Sequence, residues 1–333
     1  MAEKLEYQER FINIIKDMAP ANISLANEIS SVLGISLDSS YRRMRCETDL
    51  TLNEVVKLCY HFDVPLEALN NEMPSVVTFK FSRFLQDTDT FHQYLQSILE
   101  DLQWLQKFER KQIFFAAEDV PVFHHFGYHE LSCFKLFYWM KSILGLETFQ
   151  SLGFSESAID AEMLQTCQKI YKAYASAPAV EIWTEETLLS TLRQVKFYWD
   201  AGFFQDTAIA LTIAEQLRLT IQNLQRQSET GKKFTPEGNM TQHDFIFYLS
   251  DLMIGNNCVV VKADDMQSTY ISYNSFNSMR TSNKFFNEQS ERWMNNLISK
   301  STLLSAVAEK QRNQFFKSQY KRIDELKQYI LDN

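Results

Sequence analysis

Three arginines, Arg42, Arg43 and Arg45, sit in the five-residue stretch YRRMR. A guanidinium is a planar fork of N–H donors. It can bond phosphate oxygens, or read the two major-groove acceptors of guanine bidentately. The cluster stands out because its surroundings are acidic: residues 1–72 hold seven Lys and Arg against twelve Asp and Glu, a net of −5. A second group, His124, His125, His129 and Glu130 in HHFGYHE, has residue types that bind metals. His125 and His129 are four apart, as a shared helix face requires. Gly127 interrupts them and no further ligand lies near, so packing among aromatics is the reading adopted and no metal is expected. Asp264 and Asp265 form a carboxylate pair, but at the tip of an expected hairpin, where aspartates make turns. Phe134, Phe137, Tyr138 and Trp139 either line a ligand pocket or face a core; a core is the simpler reading, also for Trp183, Tyr198 and Trp199. His243–Asp244 lacks a nucleophile partner. The chain contains no G-x-G-x-x-G, Walker, G-x-S-x-G or H-E-x-x-H motif. Neither an enzyme nor a cofactor is expected.

The arginines need a scaffold, and the flanking residues supply signals for one. Leu5, Phe11, Ile12, Ile15 and Met18 recur at helical spacing over residues 4–18, and Pro20 ends that run. Ser24–Leu33 reads as a second helix, stopped by Gly34. Ser36 is a good N-cap for a third, Leu37–Arg45. Thr51 and Glu54 have the spacing of a capping box opening helix Leu52–Phe62. Pro65 opens a last turn ending near Leu69. A short helix, a glycine turn and a helix starting on serine is the helix-turn-helix layout. Its outer face would offer Asp38, Ser39, Arg42 and Arg43, with Ser40 and Met44 inside.

Leu33–Glu47 (LGISLDSSYRRMRCE) resembles the lambda-repressor-like, Xre-type helix-turn-helix regulators of bacteria. It matches G-[IV]-S-x-x-[ST]-x-Y-R-R-x-R-G-E except at Cys46, where that family has a glycine that helps the chain leave the recognition helix. Leu50–Leu69 is similar to the family's fourth and fifth helices. The resemblance covers about a fifth of the chain. It implies that Ser36, Leu37, Asp38, Ser39, Tyr41, Arg42 and Arg43 enter the major groove of double-stranded DNA, with Asn22, Ser24 and Arg45 near phosphates. So acidic a domain releases few counterions and binds weakly alone. A homodimer reading two half-sites about one helical turn apart is therefore expected.

The remaining residues bound the fold. The chain has 333 residues, 45% hydrophobic and 14% aromatic, with only 8 Gly and 6 Pro, which favours helices around a large core. A net charge of −9 argues against nonspecific coating of nucleic acid or anionic membrane. Five scattered cysteines give no disulfide or zinc framework and suit a reducing cytoplasm. The charged N-terminus lacks a signal-peptide core. The longest apolar stretch, Leu131–Leu146, is interrupted by Lys135 and Lys141 and is too short for a membrane span. Helical patterns follow at 80–110, 129–146, 156–176, 184–200, 204–228, 242–253, 284–316 and 318–331. Gln112–Ala117 and Val120–His125 could be extended, Gln227–Thr241 is the clearest loop, and Val259–Lys262 with Thr269–Tyr273 reads as a hairpin. The basic residues of the last helices, Arg292 to Lys327, are interleaved with acids, as on a solvated or coiled-coil-like face.

The expected fold is therefore mainly α. A five-helix, lambda-repressor-like DNA-binding domain spans 1–72, NNEMPS opens a linker extending through 73–79, and a larger all-helical domain with one small hairpin spans 80–333, with a possible subdivision near 227–241. That second domain would dimerise and take a small-molecule or protein effector. The alternative is a protein-interaction scaffold whose helix-turn-helix no longer binds DNA.

Overall fold

A computed structural model describes residues 2–18, 24–62, 64, 66, 77–81, 87–274 and 277–333. They divide into two units: Met1–Phe79 with Asn283–Phe286, and Lys80–Ser282 with Asn287–Asn333.

In the first unit, α1 (Ala2–Met18), α2 (Leu25–Leu33), α3 (Leu37–Met44) and α4 (Leu52–Phe62) follow the spacing of the apolar residues. Phe11, Ile12 and Ile15 of α1 pack with Leu25 and Ile29 of α2, Leu58 of α4 and Val64. Gly34 takes φ +67° after α2, a left-handed conformation that suits glycine. Ser40 is buried on the inner side of α3, and its hydroxyl donates to the Ala26 carbonyl at 2.8 Å, locking α3 across α2. Gln8 ties α1 to the turn after α3: its amide donates to the Arg43 and Thr48 carbonyls and accepts from the Leu50 N–H. The turn expected at Pro65–Leu69 and the NNEMPS stretch lie outside the described residues, Leu66 excepted.

The second unit overturns the all-helical expectation. Of the described residues 58% are helical and 17% are in strands, and these strands join one mixed sheet of nine. The strands are β1 (Lys80–Phe81), β2 (Lys111–Ala117), β3 (Ala179–Trp183), β4 (Lys232–Phe234), β5 (Met240–Leu249), β6 (Cys258–Ala263), β7 (Met266–Asn274), β8 (Asn277–Thr281) and β9 (Thr302–Leu303). Their order is β1-β8-β7-β6-β2-β3-β5-β4, with β9 also on β5. β2, β3 and β5 run parallel; the other pairings are antiparallel. The helices are α5 (Thr88–Gln106), α6 (Val122–His125), α7 (His129–Tyr138, continued as a π-helical turn to Ile143), α8 (Glu147–Gln150), α9 (Ala161–Ala175), α10 (Leu189–Asp200), α11 (Thr207–Thr230), α12 (Lys284–Ser299) and α13 (Glu309–Asp332).

Parallel strands are joined by helical crossovers, and both sheet faces are then covered. Here α6 to α9 connect β2 to β3, and α10 and α11 lead from β3 towards β5. Ile113, Phe115, Ala117, Phe245 and Phe247 face the main core under α5, α7, α9, α11 and α13. Ala116, Ile182 and Val260 face the opposite way, against Met294 and Leu297 of α12.

This burial on both faces explains the largest correction. The helix expected at 242–253 is β5, because its run Phe245–Leu249 is apolar at every position and shows no period-2 alternation. β3 arises unforeseen between two expected helices, and β4 falls within the expected loop. The hairpin exists as β6–β7 but is only part of a much larger sheet. Val122–His125 is helical, not extended. The long helix expected at 284–316 stops at Ser299, where Thr302–Leu303 joins the sheet edge and Leu304 is buried. Among the described residues no helix is long and apolar enough to cross a membrane.

Candidate functional site

α3 begins on Ser36, whose hydroxyl accepts from the Ser39 N–H at 3.2 Å. α4 begins on the reciprocal pair Thr51–Glu54: each backbone N–H is bonded by the other's side chain. At the end of α3 the Cys46 N–H returns to the Arg43 carbonyl and the Glu47 N–H to the Arg42 carbonyl, a Schellman closure. This closure needs a left-handed residue, and Cys46 supplies it at φ +58°. Such a conformation costs an L-residue roughly 1–2 kcal/mol, against about 0.4–1 kcal/mol for the extra freedom of an unfolded glycine. Cys46→Gly is therefore expected to stabilise the first unit by about 0.5–1 kcal/mol, and Cys46→Ala to change it little. Hydrogen exchange of the α3 amides in the full chain measures both; equal protection in the two variants counts against strain at Cys46.

The sequence-derived site residues divide into three groups. Leu37, Asp38, Tyr41, Arg42 and Arg45 are exposed along one face of α3 and its cap, and Ser24 and Ser36 are exposed at helix starts. Ser39 is half-buried. Arg43, expected outside, turns inward. Its guanidinium donates to Glu54 Oε1 at 2.8 Å and to the Ser39 carbonyl, and it is only 16% exposed. Arg43 thus bolts α3 to α4, and the pair, with the Thr51 N–H, holds the Glu54 carboxyl below its ordinary range against the opposing effect of burial. Asn22 lies outside the described residues.

The exposed arginines share one carboxylate. Arg45 grips Glu47 bidentately at 2.7 and 3.1 Å, and Arg42 lies 4.0 Å from the same group. Arg45 and Glu47 are 58% and 48% exposed. Exposed pairs of this kind hold weakly, because water screens both charges and two long side chains must be ordered, so Glu47 can give way to another anion.

The histidines diverge. His124 Nε2 lies 2.8 and 3.0 Å from the two oxygens of Glu181, His125 Nε2 lies 3.3 Å from the Thr191 hydroxyl, and His129 faces Glu156 at 3.4 Å. The turn at Gly127 between α6 and α7 separates His129 from the other two. Among the described residues no group of three or more His, Cys, Asp or Glu is placed to hold a metal. Asp264 and Asp265 form a two-residue hairpin tip braced by Arg110. Phe134, Phe137, Trp183 and Tyr198 are core.

Two buried clusters in the second unit went unforeseen. In the first, Glu181 of β3 is fully buried. It accepts from the Tyr174 hydroxyl at 2.6 Å and the Trp183 indole at 2.9 Å, besides facing His124. Lys233 is buried 3.2 Å above the Tyr174 ring. Burial alone would raise the Glu181 carboxyl, but His124, Lys233 and Tyr174 hold it below its ordinary range. Burial pushes Lys233 down to about 7, with Glu181 opposing. The second cluster surrounds Lys135. Its signal was in the sequence, as a charge inside an apolar helix. Lys141, in the same stretch, only closes a helix end: its ammonium donates to the Phe149, Gln150 and Leu152 carbonyls.

No family model, curated protein or solved structure matches the chain.

Proposed function

We propose that the chain is a sequence-specific DNA-binding transcription regulator acting as a homodimer, with its second unit serving dimerisation and effector binding. The reading is carried by the exposed face of α3, where Leu37, Asp38, Tyr41, Arg42 and Arg45 follow a capped, buried-serine helix packed across α2. Arg42 is suited to a guanine edge, Leu37 and Tyr41 to a thymine methyl, and Arg45 and the helix start to phosphates. Two exposed arginines per head give few phosphate contacts, so useful affinity needs two heads. No chemistry is asked of the chain.

Two observations favour a second reading, a protein-interaction scaffold. Glu47 and Glu54 already occupy all three arginines, and Leu52, Val56 and Tyr60 expose an apolar stripe at four-residue spacing along α4.

Selection from a random duplex pool, followed by a salt titration of the full chain, separates the two. The regulator reading expects binding that weakens steeply with salt. Arg42→Ala/Arg45→Ala should weaken it at least tenfold per head and flatten the salt slope, each lost base or phosphate contact costing about 1–3 kcal/mol. Arg43→Ala should act mainly on stability. A pool that yields no enriched duplex at low salt rejects the regulator reading in favour of the scaffold.

A further inference from the structure

A cavity of about 380 Å³ opens within the second unit, between α5, α6, the C-terminal end of α7 and the β2–β6–β7–β8 part of the sheet. Its walls are aromatic and aliphatic: Tyr94, Trp104, Phe115, Phe123, Trp139 and Val261 among them. The size is at the lower end of small-molecule sites, roughly 300–1,000 Å³, and such sites pair apolar walls with a few placed polar groups.

The polar groups here are unusual in being buried. Lys135 is 1% exposed and lines the cavity. Its ammonium donates to Gln194 Oε1 at 2.8 Å, and Asp119 Oδ2 stands off at 3.9 Å, beyond hydrogen-bond length. An ammonium has three donors. Where Lys141 fills all three on carbonyls, Lys135 fills one. His125, fully buried, also lines the cavity, and its Nδ1 has no hydrogen-bond partner. Burial, then Lys135 and His124, drives His125 well below its ordinary range, so its ring is neutral. Asp119 is already engaged: its Oδ1 accepts from the Val120 N–H at 2.7 Å and lies 3.4 Å from the Thr191 hydroxyl. At the more exposed side, Asp101 accepts from both Tyr270 and Arg280, a second balanced pair.

We propose that this cavity binds a small uncharged amphiphile, an apolar aromatic or acyl body carrying a carbonyl or hydroxyl oxygen that accepts from Lys135. The charges exclude the alternatives. At the buried end a carboxylate would add a second anion beside Asp119 with only one ammonium, Lys135, to balance both, since Lys80 lines the exposed end, and a ligand ammonium there would meet Lys135. Burying such unpaired charge is expensive. A neutral oxygen fills an open donor of Lys135 and leaves the Lys135–Asp119 balance unchanged, and the walls take the rest. The inference gives chemistry to the effector half of the proposed regulator and does not require DNA binding.

The test is a titration of the full chain, without DNA, using probes of one chain length: 2-decanone, decanoate and decylamine, with 4-hydroxybiphenyl as an aromatic alcohol. Trp104 and Trp139 line the cavity and report occupancy by fluorescence. Saturable binding of the ketone and the phenol, each at least tenfold tighter than decanoate and decylamine, is expected. In Lys135→Met the ketone should lose about tenfold and decylamine should become the preferred probe, because its ammonium takes the place of the Lys135 ammonium beside Asp119; a merely structural role for Lys135 would not invert the order. Val259→Phe, which narrows the cavity from the sheet side with Lys135 intact, should weaken every probe alike. Tighter binding of decanoate than of 2-decanone overturns the uncharged assignment, and absence of saturable binding by all four overturns the site. Neither outcome bears on α3 and duplex DNA.

Discussion

Replacing Glu181 with alanine should lower the stability of the second unit by about 3–5 kcal/mol, the usual cost of breaking a buried charge pair by removing one partner. The carboxylate is the hub of four groups. Without it the Tyr174 hydroxyl and Trp183 indole lose their acceptor, His124 loses its bidentate partner, and Lys233 loses its counter-charge, all in a site closed to water. In a domain of this size, such a loss lowers the melting temperature by on the order of 10 °C. Glu181→Gln keeps one acceptor oxygen and the side-chain shape but not the charge, and should fall between wild type and alanine. All five tryptophans, at 104, 139, 183, 199 and 293, belong to the second unit. Urea unfolding followed by tryptophan fluorescence therefore reads this unit alone. A loss below about 1 kcal/mol for the alanine variant would show that the cluster is wetter and softer than its geometry states.

The same cluster should make the second unit more stable as pH rises from 7 to 9. Lys233 is held down to about 7 in the folded chain, whereas an unfolded lysine titrates near roughly 10.4. Between these values the unfolded chain binds a proton that the folded chain does not. Stability then increases with pH, by about 1 kcal/mol per pH unit or roughly 2 kcal/mol over this window. Below pH 7 both states carry the proton and the slope from this group disappears. Above the unfolded value both are neutral, and the full benefit is present. Lys233→Met removes the titrating group, so the difference between variant and wild type, measured at pH 6, 7, 8 and 9, isolates it from other residues. A difference that stays flat from 7 to 9 would mean that Lys233 keeps its proton through folding, paired with Glu181 as an ion pair.

The first unit was legible because its signals are local. Ser36, the Thr51–Glu54 box and Gly34 each act within a few residues of themselves, and the observed caps are those residues. What the sequence hid there is the side on which Arg43 lies. Its position in the run fits an exposed helix, and only Glu54, eleven residues on, draws it inward. The second unit departs from the pattern its sequence suggests because its signals are not local. β3 is a five-residue segment with a glutamate in its middle, β5 is polar to Asp244 and apolar from Phe245 on, and what makes them strands is the pairing of β3 with β2 on one side and β5 on the other, at separations of more than sixty residues. The enrichment of Phe245, Phe247 and Tyr248 in aromatic residues was the signal for a strand that periodicity could not give. Glu181 and Lys233 are likewise separated by a helix pair, and nothing near either announces the other.

That sheet order also governs how the chain is made. Every residue of the first core, from Phe11 to Val64, is synthesised before Lys80, where the sheet of the second unit begins. The second unit has to wait: Lys80 pairs with Arg280, and Lys111 with Ala263. At about 5–20 residues per second, two hundred residues take roughly 10–40 s. During that interval β2 can pair with β3 once Trp183 is made, but its other edge stays open until β6 arrives, and distant pairings of this kind close slowly. A nascent chain arrested near residue 250 should therefore carry a protease-resistant head on an unfinished, chaperone-dependent body.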